Sequence, residues 1–170
     1  KEDTWWAPKG HEVGWQQLAL PVRKAKAPAA KPAETVREST QLFVLTGGGT
    51  RAEFNKKTGE MIWLGKSENL LAFGPELNVW RGAVDNDGIK LLLRPGSTLQ
   101  RWLDQGFDQI KTKFDSIKIV DGNALEIVHQ ASGRKQWDDF KLVQRYAIHA
   151  DGILQADYRI EVGNDLTDIP

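Results

Sequence analysis

Three pairs of strand-like runs around turn signals, one cleanly alternating run near residue 160 and a single capped helical stretch mark this 170-residue chain as all-β. Together they predict an antiparallel β-sandwich with one short helix. In the first hairpin, residues 41–45 (QLFVL) read as a strand and residues 46–50 (TGGGT) as a flexible turn. Residues 51–54 lead into NKKTG at 55–59, a turn whose final Gly59 tolerates positive φ, and EMIWL at 60–64 returns. Residues 116–120 (SIKIV) and 124–129 (ALEIVH) flank Asp121-Gly122-Asn123, a second hairpin signal. Residues 141–149 and 153–162 flank Ala150-Asp151-Gly152. In the last run Leu154, Ala156, Tyr158, Ile160 and Val162 share one face, while Gln155, Asp157, Arg159 and Glu161 share the other. That pattern predicts one buried and one wet face.

The helix is expected from Ser97-Thr98-Leu99-Gln100, which has capping-box spacing: the Ser97 oxygen meets the amide at Gln100, and Gln100 reaches back. Leu99, Trp102 and Leu103 form its apolar face, and Gly106 closes it. Ahead of the sandwich, residues 12–20 (EVGWQQLAL) read as a bulged strand stopped by Pro21. Residues 23–33 contain only Arg, Lys, Ala and Pro, a composition that stays extended and solvated. The expected organisation is the last strand of a preceding domain over residues 1–22, a linker over 23–38, and the sandwich over 39–170.

Composition narrows the function classes. The 23 basic and 23 acidic side chains cancel, which argues against a nucleic-acid or anionic-lipid footprint. No apolar run approaches the ~18 residues of a membrane span. With no Cys, disulfides, thiolate metal sites and cysteine nucleophiles are excluded. The chain opens on Lys with no leader pattern after it, and reads as processed or cut from something longer. Seven Trp is a high count, and the flat indole serves either a sandwich core or carbohydrate stacking.

No motif completes a catalytic set. Gly47-Gly48-Gly49 lacks the Lys-Ser or Lys-Thr of a phosphate loop and reads as a hairpin turn. Asp85-Asn86-Asp87-Gly88 lacks the spaced ligands and closing Glu of a calcium loop. It reads as a polar turn, with Arg81 offering a planar fork to a carboxylate. Asp138 and Asp139 are neighbours, so on a strand they point to opposite faces and do not flank one bond. They are expected on a solvated loop or strand start. His11, His129 and His149 have no second ligand at metal spacing, and no Ser-His-Asp motif occurs.

At LNVWRGAVDNDG, residues 77–88, the sequence resembles the W-R-A-P-x-D-N-D segment of large bacterial β-galactosidases of glycoside hydrolase family 2. Four further stretches agree in order: GHEVGWQQLAL at 10–20, FNKKTGEMIWL at 54–64, WLDQG at 102–106 and the strand pair at 146–162. Gly82-Ala83 replaces the usual Ala-Pro, Val84 a Thr or Leu, and Gln105 an Ala. The resemblance implies the end of an immunoglobulin-like domain plus the first half of the C-terminal small-chain domain, part of a galactose-mutarotase-like supersandwich. It places the catalytic Glu pair, and any Mg2+ and Na+, on an upstream barrel, leaving no catalytic residue, metal or cofactor in this chain.

The same resemblance puts residues 65–73 near the mouth of a galactose pocket, with Gly65, Lys66, Ser67, Glu68 and Asn69 as substrate-proximal candidates. Gly65 reads as a hinge, the next four residues as a polar tip, and Leu70, Leu71 and Phe73 as an apolar anchor. Trp80 and Arg81, with Asp85, Asn86 and Asp87, are expected to buttress that loop from behind. The implied partners are the rest of a β-galactosidase, a β-galactoside at the domain edge and further copies in a homo-oligomer, in a bacterial cytoplasm or periplasm. Two rival readings remain. A carbohydrate-binding module would present a Trp platform, whereas a supporting domain buries Trp63, Trp80 and Trp102. An oligomerisation element would use an unpaired sheet edge.

Overall fold

The computed structural model describes residues 3, 5–9, 11, 36–88 and 95–166. The expected strand at 12–20 and residues 23–35 of the expected 23–38 linker lie outside the described residues, while its end departs from the expectation: Val36 is buried in the core and Arg37–Glu38 pair with the first sheet. Among the described residues, eight strands form two four-stranded antiparallel sheets, ordered β1-β2-β3-β4 and β5-β6-β7-β8. In the first are β1 (Arg37–Glu38), β2 (Leu42–Gly47), β3 (Thr50–Asn55) and β4 (Met61–Gly65). In the second are β5 (Lys111–Val120), β6 (Ala124–Ser132), β7 (Phe140–Ile148) and β8 (Leu154–Val162). The helix, α1 (Thr98–Asp104), lies between the sheets in sequence. The all-β sandwich with one short helix is therefore the observed architecture.

Period-two patterning builds the main core. Phe43 and Leu45 of β2, Ala52 and Phe54 of β3, and Met61 of β4 turn inward from the first sheet. They meet Leu125 and Ile127 of β6 and Tyr146 and Ile148 of β7 in one cluster, which Val36 also joins. Phe54 is fully buried against the Tyr146 ring, with centroids 5.0 Å apart. Burying such a side chain contributes about 2–3 kcal/mol. A second cluster forms around α1, where Leu99, Trp102 and Phe107 pack against Ala131 of β6 and Phe140 of β7.

Two glycines set how closely the sheets approach. At the Gly48-Gly49 turn, a Cβ on Gly48 would sit 2.4 Å from the Gly152 amide nitrogen. The β2–β3 turn thus lies directly on the β7–β8 turn, and the triple glycine serves close backbone packing as well as turning. Gly59 has φ +71, and a Cβ there would meet Ile127 and Phe114 at 2.8 Å. The β3–β4 turn therefore seats on the second sheet, where the Thr58 carbonyl accepts a 2.9 Å hydrogen bond from His129 Nε2.

Four expectations need correction. First, β8 does not bury its apolar face: Tyr158, Ile160 and Val162 remain 50%, 47% and 44% exposed. Register pairs them with Gln144, Leu142 and Phe140, so they share the inner face with β7. The first sheet packs over β6 and β7, and β8 projects beyond that cover. Second, β5 starts at Lys111, with a register shift between Phe114 and Ser116, because pairing with β6 carries its Lys-rich beginning into the sheet. Third, the capping box at α1 is half made. Ser97 Oγ accepts from the Gln100 amide at 3.2 Å, but the Gln100 side chain donates forward to Asp104 at 2.7 Å. An adjacent carboxylate is a stronger acceptor than is needed to hold it there. Fourth, Asp139 is buried rather than solvated. Arg134 grips it at 2.7 Å and Ser132 Oγ donates at 2.6 Å, which compensates its desolvation.

Substituting Gly59→Ala is expected to lower unfolding free energy by about 2–3 kcal/mol, from the positive φ and the contact with Ile127 and Phe114. Urea denaturation followed by Trp fluorescence measures this. An unchanged midpoint would show that the turn does not seat on the second sheet.

Candidate functional site

The loop after β4 is held by one side chain. Asn69 Oδ1 accepts from the Leu64 and Leu71 amides at 3.1 and 3.2 Å, and its Nδ2 donates to the Ile62 carbonyl at 3.0 Å. The Leu70 amide adds a 2.8 Å bond to the Leu64 carbonyl. The chain after Gly65 therefore folds back along the free side of β4. Gly65 does not serve as an open hinge: a Cβ there would fall 1.9 Å from the Glu68 carbonyl oxygen. Of the three expected anchor residues, only Leu71 packs on the core. Leu70 and Phe73 are 70% and 79% exposed, because the Asn69 staple turns the backbone so that Leu71 alone faces inward.

Lys66, Ser67 and Glu68 project as the exposed tip. Lys66 and Ser67 form a ridge between two open depressions. One, of about 450 Å3, also has Leu64, Leu70 and Leu154 in its wall. The other, of about 390 Å3, lies against Arg37, Arg51 and Trp63. The candidates Gly65, Lys66, Ser67, Glu68 and Asn69 are thus brought together at the end of the sandwich where the Gly48 and Gly152 turns meet.

The signature residues form a separate unit. Arg81 grips Asp87 with both nitrogens, at 2.8 and 3.1 Å, and its guanidinium carbon lies 4.6 Å over the Trp102 ring. Asp87 also accepts the Val84 amide at 2.8 Å. The Arg81 fork, and then the Val84 amide, hold the Asp87 carboxyl below the usual aspartate range. Trp80 meets Trp102 edge-on at 6.2 Å. The turn Asp85-Asn86-Asp87 is a short 3-10 helix, as a polar turn would be. Trp80 and Arg81 therefore brace α1, through the Trp102 ring that both of them meet.

The sequence reading missed a buried polar chain between the two apolar clusters. His129 Nδ1 lies 3.0 Å from Gln144 Oε1, and Gln144 Nε2 donates to the Tyr146 hydroxyl at 2.9 Å. Tyr146 in turn lies 3.0 Å from Tyr158. Burial, then the Tyr158 hydroxyl, push the Tyr146 hydroxyl well above the ordinary tyrosine range. The chain backs a cleft of about 250 Å3 whose rim includes Lys57, Glu60 and Glu76. Glu60 and Glu76 are both solvent-exposed, and Glu60 accepts a hydrogen bond from Thr58 at 3.0 Å. His129 and Gln144 occupy inward positions of strands that otherwise read as apolar, and that interruption was the available signal.

Among the described residues, no group of three or more His, Cys, Asp or Glu gathers at metal-binding distance. No described helix is long and apolar enough to cross a membrane. Three indole faces are occupied: Arg51 lies 4.5 Å over Trp63, Arg81 covers Trp102 and Lys113 sits 5.8 Å from Trp137, whereas Trp5 and Trp6 are exposed. Trp102 is buried, whereas Trp63 and Trp80 are half-buried.

A family model described as the β-galactosidase small chain matches residues 46–169, from the end of β2 through the whole of the second sheet. This chain belongs to that family. Among curated relatives, a β-galactosidase of Priestia megaterium is 39% identical over 108 residues, covering 61% of this chain and 10% of that protein. A β-galactosidase of Vibrio cholerae is 23% identical over 178 residues, covering 100% of this chain and 17% of that protein. One of Psychromonas ingrahamii is 24% identical over 182 residues, covering 99% and 18%. The small-chain sequence thus spans less than a fifth of the length of the relatives it matches.

Two outcomes are expected here. Asn69→Ala should lower stability by about 1–3 kcal/mol and speed hydrogen exchange at the Leu64 and Leu71 amides, while Asn69→Asp, which keeps both acceptor bonds, should do less. Equal exchange in all three proteins would remove the staple. Because the folded-state pKa of Asp87 is depressed, its stabilisation is present above about pH 4 and is lost as pH falls through the lowered value. The stability gap between wild type and Asp87→Asn should therefore narrow on acidification in urea titrations. A gap that widens would contradict the ion pair.

Proposed function

We propose that this small-chain segment is the non-catalytic part of a glycoside hydrolase family 2 β-galactosidase that hydrolyses terminal β-D-galactosides with retention. The observation that carries the reading is the family match over residues 46–169 combined with the state of the buried acids. The two buried carboxylates among the described residues, Asp87 and Asp139, are each gripped by an arginine and held by further hydrogen bonds. A retaining glycosidase needs two carboxyls about 5–5.5 Å apart and free to face the sugar. Acids locked in this way brace a structure instead of attacking or protonating a glycoside.

In this reading the catalytic acids, with Mg2+ and Na+, belong to the remainder of the enzyme, which is the chain's partner. The loop at 65–73 edges the galactoside pocket. Lys66, Ser67 and Glu68 offer the polar contacts, because the Asn69 amide is already committed to three backbone groups. Within the sandwich, the covered faces of Trp63, Trp102 and Trp137 favour this supporting role over a carbohydrate-binding platform.

The purified 170-residue chain is expected to leave a chromogenic β-galactoside unhydrolysed. Turnover that disappears in Glu60→Gln or Glu76→Gln would overturn the proposal, since it would place the reacting acids at the cleft beside His129. In the complete enzyme, Lys66→Ala is expected to raise KM more than it lowers kcat, as loss of a pocket-edge contact should.

A further inference from the structure

Both ring nitrogens of the buried His129 face acceptors. Nε2 lies 2.9 Å from the Thr58 carbonyl oxygen and Nδ1 lies 3.0 Å from Gln144 Oε1. A neutral imidazole has one N–H and one lone pair, so it does not donate to both. With the Gln144 amide turned this way the ring is an imidazolium. The bonds beyond it then run away from the charge: Gln144 Nε2 donates to Tyr146, and the Tyr146 hydroxyl donates to Tyr158 at 3.0 Å. Turning the Gln144 amide end for end in the same space gives a second complete set. Its Nε2 donates to a bare Nδ1, its Oε1 accepts from the Tyr146 hydroxyl, and Tyr146 accepts from Tyr158. His129 then keeps only the N–H that Thr58 uses, and is neutral. A neutral ring with its proton on Nδ1 fits neither set, because it sets the Nε2 lone pair against the Thr58 oxygen.

We propose that this chain of side chains is a proton-operated switch: a proton taken up at His129 Nδ1 turns the Gln144 amide and reverses every bond from there to Tyr158. No other proton leaves its atom; the two hydroxyls only rotate. Register sets His129 of β6 beside Leu142 of β7, and Gln144 beside Tyr158 of β8, so the relay crosses the second sheet diagonally on its inner face. At the inner end the added charge strengthens the Thr58 bond and tightens the β3–β4 turn on the second sheet. At the outer end the Tyr158 hydroxyl changes role. With His129 neutral it donates inward, and with His129 charged it accepts from Tyr146 and turns its own O–H away from the relay. Tyr146 stays a hydroxyl throughout, because burial and then the Tyr158 hydroxyl push its ionisation far above the ordinary range. Protons reach the ring through the cleft that it lines. The charged groups facing it there are Lys57 and Glu60 of the β3–β4 turn and Glu76 of the segment after Gly74. β5 presents Thr112 and the edge-on Phe114 ring, β7 presents Leu142, Gln144 and Tyr146, and β8 presents Tyr158, all uncharged. Two carboxylates against one ammonium favour uptake. This inference goes beyond the supporting role proposed above and does not rest on it.

Nitrogen NMR of the 170-residue chain, labelled at histidine and glutamine and titrated with acid, tests it. The chain has three histidines, and His11→Gln and His149→Gln identify the His129 signals by elimination. The expected result at high pH is a ring with N–H at Nε2 and a bare Nδ1. As the pH falls, Nδ1 should gain its proton and the Gln144 side-chain amide should shift with the same midpoint. Gln144→Glu, which only accepts, should hold the ring proton about tenfold more tightly, and Gln144→Met, which accepts nothing, about tenfold less tightly. Circular dichroism checks that both variants fold, and the wild-type titration stands without them. A neutral ring with its proton on Nδ1 would overturn the proposal. So would a ring whose charge never changes while the chain is folded, a Gln144 amide that does not follow the ring, or equal titration in the wild type and both folded variants. None of these results would alter the outcome of the galactoside assay.

Discussion

The sandwich depends on one hydrogen-bonded group, the His129 imidazole, placed where the two sheets and the two apolar clusters meet. The sheets share no strand, so packing and a few bonds between turns relate them, among them the Val36 amide on the Gly122 carbonyl at 3.3 Å. His129 Nε2 donates to the Thr58 carbonyl of the first sheet while Nδ1 is held by Gln144 in the second. A buried ring whose Nε2 donates to one backbone carbonyl tolerates one placement of the β3–β4 turn and rejects others, because any slip leaves that carbonyl and the ring unpaired in a dry setting. The Gly59 contact with Ile127 and Phe114 adds a steric limit at the same point. Apolar packing supplies most of the adhesion, and this polar seam supplies the alignment.

The small-chain signature has a structural role of the same kind. Its Trp and Arg enclose Trp102, and its final acid neutralises the Arg. A guanidinium that is bidentate on one edge and stacked on one face has few other orientations available, which fixes α1 against the second sheet. A motif of this type is easily taken for a ligand site, since tryptophan, arginine and clustered aspartates all belong to such sites. Here the charges answer each other and the aromatic faces are covered. Lys66, Ser67 and Glu68 keep exposed polar groups on a loop whose base is stapled. A rigid base with a short projecting tip suits a wall that shapes a neighbouring pocket.

What could be read from residues alone were features set by local chemistry. Period-two apolar alternation located the strands, Asn, Asp and Gly located the turns, and Ser97 located the start of α1. The Arg81–Asp87 fork was also legible, because the two residues are close in sequence and a planar donor matches a carboxylate. The ordered motifs carried the family. Features that join distant parts of the chain were decided by the assembled fold. The same alternation that buries Phe140 to Ile148 leaves Tyr158 to Val162 half in water, because burial depends on how far the opposing sheet extends. Asp139 became a core residue because Arg134 and Ser132 come round a turn to meet it, and Trp80 faced α1 because cluster packing chose its neighbour. A residue's own chemistry states which environment it favours, but only the packed chain determines which environment it receives.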